Sequence, residues 1–465
     1  MQDKPTLDLS VIEPRLFSAL MDIAAAVKSA GGRAMMVGGS VRDLLLGAKA
    51  IKDVDLEVFS LAPDKLMRII ATKYDFDKCG VSFGVLKIRN FPIDVSLPRR
   101  ETKRGEGHRA FLVDSDPSLS VKEAAERRDF TINAMYYDPV AGDFADPYGG
   151  VGDLRRGVLR HVSAKFAEDP LRVLRAMQFV ARFELDVAPE TVAICREMQI
   201  EDLPAERLFS EWEKLLVQGV GIARGLEFLR ACTWVRFFPE LSALIGCRQD
   251  PQWHPEGDVW EHTKLCLDAF ARRRTGNRQE DLIVGLAVLC HDFGKPSTTR
   301  FDKKAGRLRS LGHDESGVGP TVSFLRRLTC EERLLRDVPP LVQCHMQPYA
   351  LWKAKAGDSA IRRLAARVGR IDRLLRVARA DQEGRGGWQE REGDDELRYL
   401  SDAAERLRVA DSAPKPILMG RHLIALGYRP SPRFQKWLAA AFEAQLDGAF
   451  ADLDGALDYF RRKLA

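Results

Sequence analysis

Two aspartates one residue apart, Asp53 and Asp55, interrupt the otherwise apolar stretch KDVDLEVFS. On a strand, alternation sends Val54, Leu56 and Val58 to one face and Asp53, Asp55 and Glu57 to the other, with same-face side chains roughly 7 Å apart. Water tolerates three like charges on a face. A cleft does not, unless something positive meets them. Mg²⁺ suits that role, because carboxylates and a triphosphate together supply the oxygens it takes in octahedral geometry. Two such ions could activate a hydroxyl and stabilise a leaving pyrophosphate. Asp94, in FPIDVSL, falls on a segment that could pair beside the first strand and complete an acidic triad. Upstream, AMMVGGSVRDLLLG reads as a buried strand running into Gly38 and Gly39 and then a helix. Backbone N–H groups there, with Arg42, could hold a phosphate chain. An ordinary tight turn accounts for the two glycines equally well.

A second cluster is RRDFTINAM, in which Arg127 and Arg128 precede Asp129. Read as a strand, TINAM puts Thr131 and Asn133 on one face and Ile132 and Ala134 on the other. Guanidinium forks suit phosphate, and a carboxylate with an amide suits ribose hydroxyls. The plain alternative is a surface ion pair. In EDPLRVLRAMQFVARF, Asp169 is a natural N-cap with Pro170 at the first helical position.

The chain has 8 histidines, and five of them, His254, His262, His291, His313 and His345, fall in one stretch. His262, the adjacent pair His291 and Asp292, and Asp381 provide nitrogen and oxygen donors for a divalent transition metal or Mg²⁺. His313 and His345 could bind a second ion or a phosphate. Taken singly, each is also explained as a hydrogen-bonded core imidazole.

The elements that must position these groups divide the chain. The first 160 residues mix helical and strand periods, whereas the remainder shows helical spacing, predicting an α/β (α+β) head with a small mixed sheet followed by all-α regions. The spacing predicts a helix over IEPRLFSALMDIAAAVKSAGG, a strand at RAMMV, a helix over LAPDKLMRIIATKY and a hairpin from FGVLKI and FPIDVSL. The cationic segment Arg99 to Phe111 reads as a flexible loop, either solvated or touching RNA. PQWHPEGD reads as a linker, the stretch from Val259 to Arg385 as helical throughout, and GRGGWQEREGDD as a polar break. With 465 residues and a net charge of +5, any polyanion must meet a local patch. The 8 cysteines form no CxxC pair, which argues against a disulfide framework and suits a reducing cytoplasm. No signal sequence or membrane-length apolar run is evident.

In order and spacing, GGSVRD with DVD, then RRDFTINAM, DPYGGVGDL and EDPLRVLR, resemble the bacterial class II tRNA nucleotidyltransferases, the CCA-adding enzymes. The resemblance implies a polymerase-β-like head over residues 1–160, a helical neck for base selection and RNA binding over 161–250, an HD domain over 251–390 and a helical tRNA-binding tail over 391–465. It implies Asp53 and Asp55 as Mg²⁺ ligands and Asp94 as the third carboxylate. Gly38, Gly39 and Arg42 would steer the triphosphate, and Arg128, Asp129 and Asn133 the ribose and phosphates. Glu168, Asp169 and Arg172 match the family's base-reading EDxxR segment, and Arg175 joins the nucleotide-binding residues. A carboxylate accepting from the exocyclic amine of adenine or cytosine, with a guanidinium donating to the ring nitrogen, admits ATP and CTP and mismatches GTP and UTP.

The order H…HD…H…H…D resembles the HD phosphohydrolase superfamily. This implies a divalent metal, Mg²⁺, Mn²⁺, Ni²⁺ or Co²⁺, and phosphatase, 2′-nucleotidase or 2′,3′-cyclic phosphodiesterase activity. In the family, a loop at the position of Arg99 to Phe111 assists the switch from C to A addition. His422 and Ser431 depart from the Gly-x-Asp-Leu and Pro-Gly-Pro often found in the tail of relatives. The expected function is therefore extension of tRNA 3′ ends with CMP and AMP from CTP and ATP. Monomer and homodimer are both compatible with the sequence. The alternatives are a CC-only or A-only enzyme, a poly(A) polymerase, or an HD phosphohydrolase whose head only binds RNA or nucleotide.

Overall fold

Strand β1, Arg33–Val37, is buried along almost its whole length because it lies inside a seven-stranded sheet. In this computed structural model, which describes residues 5–77, 85–103, 111–200, 203–386 and 395–464, the chain forms two compact units. One comprises Met1–Glu211 with Glu227–Trp234, the other Trp212–Leu226 with Val235–Ala465.

In the first unit, β1 pairs antiparallel with β2, Val54–Phe59. The strands β3 (Phe76–Asp77), β4 (Val85–Ile88) and β5 (Ile93–Ser96) extend the sheet on the far side of β2. The strands β6 (Arg99–Lys103) and β7 (Phe111–Ser115) form a separate ribbon. The strands β8 (Tyr136–Tyr137) and β9 (Phe144–Ala145) complete the sheet, whose order is β3-β4-β5-β2-β1-β8-β9. Among the described strands of this sheet, only β2 and β5 run parallel. The apolar face of β2 (Val54, Leu56, Val58) packs on Leu16, Leu20, Ile23 and Val27 of the helix Pro14–Ser29, all in one core.

Two sequence expectations for this unit are corrected. The segment read as a loop between Arg99 and Phe111 begins and ends in strand, with Arg99 to Lys103 in antiparallel register with Ser115 to Phe111, and residues 104–110 lie outside the described residues. TINAM is not a strand: Thr131–Asn133 is a 3₁₀ turn, with the Ala134 amide bonded to the Thr131 carbonyl. The hydroxyl of Thr131 reaches Asp153 and the amide of Asn133 reaches Asp129, and those tertiary bonds override the β pattern.

The second unit is built around the helix Arg278–Cys290, buried from Asp281 onward. Asn277 caps its first turn, and Asp281 binds the Thr275 and Gly276 amides and the Arg376 guanidinium. Helices Val259–Arg272, Glu332–Cys344 and Ile371–Glu383 surround it. The reading of this stretch as helical throughout is corrected by a hairpin, Arg300–Asp302 with Arg307–Arg309, turned where Asp302 accepts from the Lys304 and Ala305 amides. The helices Gly420–Ala425, Pro432–Leu446 and Leu453–Lys463 close on a small core of Leu423, Phe434 and Phe460 with Tyr428 and Trp437.

Candidate active site and metal centre

The parallel register of β2 and β5 sets Asp55 directly opposite Asp94, and the antiparallel register of β1 sets Val37 opposite Asp55. Asp53 sits just ahead of β2, and both Asp53 and Asp55 are open to solvent. Gly38, which follows Val37, turns with φ +79°, a conformation costly to any residue with a Cβ. A Cβ there would also lie 3.3 Å from Asp55 Oδ2 and 3.6 Å from Arg128 Nη1, so glycine keeps the carboxylate accessible. The recess raises the pKa of Asp55, first through desolvation and then through Asp94, Asp53 and Glu57, with Arg128 opposing them. Lys87 Nζ approaches Asp94 at 3.7 Å.

Glu57 behaves differently from the aspartates with which it was expected to share a charged face. It is fully buried, and Arg127 Nη2 (2.8 Å), Arg128 Nη2 (3.1 Å) and the Tyr136 hydroxyl (2.8 Å) all donate to it. The arginines that precede Asp129 therefore neutralise one of the three acids, and the expectation that metal cations balance the whole face is corrected for Glu57. Arg128 is held by Glu57 and Tyr136, at the edge of the site rather than free within it.

A buried chain of polar groups backs this surface. Arg42, 4% exposed, grips Asp43 with two nitrogens and donates from Nη1 to Asn133 Oδ1 at 2.7 Å. Its guanidinium lies 4.5 Å from the centre of the Phe183 ring. Asn133 donates to Asp129, and Arg175 closes on the other Asp129 oxygen at 2.9 and 2.7 Å. Burial would raise the pKa of Asp129, but Arg175, Asn133 and Arg172 hold it below the usual carboxylate range. A charge paired on every side acts as a rigid fixture.

The base-reading candidates lie at the start of the helix Leu171–Phe183. Glu168 ends a 3₁₀ turn, and Asp169 accepts from the Leu171 amide at 3.1 Å and from Arg207 at 2.8 Å. Arg172 donates to the Lys165 and Arg127 carbonyls at 2.8 and 2.7 Å. Asp169 and Arg172 are thus each engaged with structural partners, and no bond joins them among the described contacts.

The histidines of the second unit converge. Ligand atoms of His262, Cys266, His291 and Asp381 lie within 4.8 Å of one another, as do those of Asp292, His313 and His345. His291, His313 and His345 each direct Nδ1 at a backbone carbonyl 2.7 Å away, Val288, Ser310 and Val342 respectively. That arrangement keeps a proton on Nδ1 and points Nε2 inward, where an ion binds by displacing any proton that Nε2 carries. His291 Nε2 and both Asp292 oxygens are buried with no well-aligned hydrogen bond, although Asp292 Oδ2 lies 2.8 Å from Lys295 Nζ and 3.3 Å from His291 Nε2, and Oδ1 lies 3.5 Å from His313 Nε2. Orphaned donors of this kind fit a divalent cation. Burial would lower the pKa of His291, but Asp292 reverses the sign and holds it at about 10. His345, buried and flanked by His291 and His313, is pushed down to about 4.

Two features here escaped the sequence reading. PQWHPEGD is not a linker: Glu256 Oε1 lies 2.8 Å from both His254 Nδ1 and His262 Nδ1, and the Gly386 amide donates to its other oxygen. Cys266 has its sulfur 3.4 Å from His262 Nε2. The i, i+4 spacing of His262 and Cys266 on one helix was the available signal.

A mixed sheet that presents carboxylates on neighbouring strands beside a Gly-Gly turn, followed by helices, defines a nucleotidyltransferase head, and the poly A polymerase head domain matches residues 34–160. A multifunctional CCA protein of Xylella fastidiosa (strain M23) is 35% identical over 375 residues, 77% of this chain and 85% of its own length. The chain belongs to the family of these multifunctional CCA proteins, the class II CCA-adding enzymes. Solved structures share the fold: the Bacillus stearothermophilus CCA-adding enzyme in complex with CTP (TM-score 0.63, 22% identity) covers 97% of this chain and 98% of its own. The Thermotoga maritima CCA-adding enzyme complexed with tRNA (TM-score 0.59, 18% identity) covers 98% and 97%. Among the described residues no helix is long and apolar enough to cross a membrane.

Proposed function

We propose that this chain rebuilds tRNA 3′ ends in the cytoplasm, adding CMP and AMP from CTP and ATP without a nucleic-acid template. The observation that carries this reading is the pairing of Asp55 with Asp94 beside the open Gly38 turn, in a chain of the CCA family. Asp53 and Asp55 hold Mg²⁺, which, when bound, supplies charge for the attacking 3′ hydroxyl and the departing pyrophosphate. Asp94 adds negative charge from the neighbouring strand. Gly38 and Gly39 admit the triphosphate, and the buried Arg42–Asn133–Asp129–Arg175 chain fixes the wall against which ribose and phosphates are oriented. Asp169 and Arg172 exchange their present partners for the Watson–Crick edge of the incoming base.

The test incubates tRNA lacking its 3′ end with CTP, ATP or both, and reads product length. Full CCA with both nucleotides supports the proposal. A stop at CC, or A added only to tRNA already ending in CC, identifies a specialist. Binding should weaken steeply with salt if the grip is on phosphates.

The second unit carries an accessory phosphohydrolase, supported by the orphaned His291 and Asp292 atoms. His262, His291, Asp292 and Asp381 hold a divalent ion, which supplies an activated water when bound. His313 and His345, whose Nε2 atoms lie 3.2 Å apart, offer lone pairs to a second ion or, carrying a proton on Nε2, an N–H to a phosphate. Chelator-sensitive hydrolysis of 2′,3′-cyclic nucleotide tests this part.

A further inference from the structure

We propose that Cys266 is a thiolate ligand of the ion at the histidine-rich centre, which makes that centre a site for a thiophilic transition metal of the zinc and cobalt kind rather than for magnesium. The inference deepens the accessory-site reading and rests on it.

The geometry carries the proposal. His262 and Cys266 are one turn apart on the helix Val259–Arg272, so their side chains leave the same face. Cys266 Sγ is 3.4 Å from His262 Nε2, and Asp381 Oδ1 is 3.0 Å from the same nitrogen. With metal–ligand bonds of about 2.0–2.3 Å, donor atoms around one tetrahedral ion lie roughly 3–4 Å apart. The sulfur stands at ligand spacing from Nε2, and because it is also 3.8 Å from Nδ1 it lies over the imidazole face, so a turn of the ring about its Cβ–Cγ bond aims Nε2 and the sulfur at one ion. His291 Nε2, buried and without a well-aligned hydrogen bond, belongs to the same group of four. The sulfur is also sealed in place: a Cβ on Gly384 would fall 2.3 Å from it, so only glycine lets the end of the helix Ile371–Glu383 close over Cys266.

The chemistry then selects the ion. Magnesium takes hard oxygen ligands and keeps its waters, whereas a sulfur and two imidazoles beside the Asp292 and Asp381 carboxylates form a mixed soft and borderline set. Binding requires the thiol to lose its proton, which leaves to solvent as the metal–sulfur bond forms.

The experiment uses the full-length chain, stripped of metal and titrated with Co²⁺, and reads bound cobalt together with the near-ultraviolet sulfur-to-cobalt charge-transfer band. The wild-type chain is expected to show that band. Cys266→Ser is expected to lose it while retaining cobalt at weaker affinity, and His262→Gln is expected to lose both, because sulfur and imidazole share one ion. A large molar excess of Mg²⁺ should leave the wild-type band in place. Cobalt bound without the band, or a band that persists in Cys266→Ser, overturns sulfur ligation alone. Failure to bind cobalt at all overturns the metal centre as well. Absence of the band from the wild-type spectrum overturns the proposal even if a variant fails to fold.

Discussion

The two sites solve the problem of gathering negative charge in opposite ways. In the second unit, ligand atoms already lie within 4.8 Å of one another in a buried pocket, each of three imidazoles tied through Nδ1 to a main-chain carbonyl. In the head, Asp53, Asp55 and Asp94 gather at the start of the neighbouring central strands β2 and β5, Asp53 and Asp55 open to solvent and Asp94 partly so, with Asp55 repelled by its acidic neighbours. The difference follows from what each site must admit. An enclosed pocket can bury its donors because helices hold them by packing and backbone bonds. A site that receives a triphosphate and an RNA end must stay open, and its carboxylates wait for cations to relieve their repulsion.

The sharpest way to break this comparison is to remove the open acids. Asp53→Ala with Asp55→Ala is expected to reduce nucleotide addition by ~10³-fold or more, the loss of several kcal/mol of charge stabilisation. Cobalt binding by the same double variant should be unchanged, and a parallel loss would show that the damage is to the fold. Next comes the acid that the head does bury. Glu57→Ala leaves Arg127 and Arg128 without their shared carboxylate and should destabilise the first unit by about 3–5 kcal/mol in urea titration. A variant as stable as the wild type would show that Glu57 is no structural counterion.

Glu256→Gln tests how far the enclosed pocket depends on its supporting shell. Glu256 orients His262 through Nδ1, so cobalt affinity should fall about 10–100-fold without loss of folding. The smallest effect is expected at the reader. Asp169→Ala should raise GTP or UTP incorporation relative to CTP by about tenfold, the order of one lost hydrogen-bonding partner. Unchanged selectivity in single-turnover competition would restrict Asp169 to its contacts with Arg207 and the Leu171 amide.

Much of the head was legible because its signals are local. RAMMV, DVDLEV and PIDVS have the strand pattern, and the turn at Gly38 follows from two glycines between a strand and a helix. Glu57 was not legible, since alternation assigns it to the same face as Asp55 and cannot say that two arginines about seventy positions later will cover it. TINAM failed for a related reason: the β-like pattern is real, but bonds to Asp153, Arg42 and Asp129 hold it as a turn.

The amino-acid order by itself determined which groups exist and their local spacing: the Asp53–Asp55 pair, the HD dipeptide, and His262 one turn from Cys266. Those follow from strand and helix periodicity, which short-range sterics and backbone hydrogen bonds set. Tertiary structure alone decided which charges meet and which are spent. It placed Asp94 beside Asp55, turned Arg127 and Arg128 onto Glu57, brought Asp381 to His262 from a distant segment and folded Glu256 back onto the same histidine from the turn just ahead of its helix. Electrostatic pairing and burial depend on distances through space, which separation along the chain does not fix.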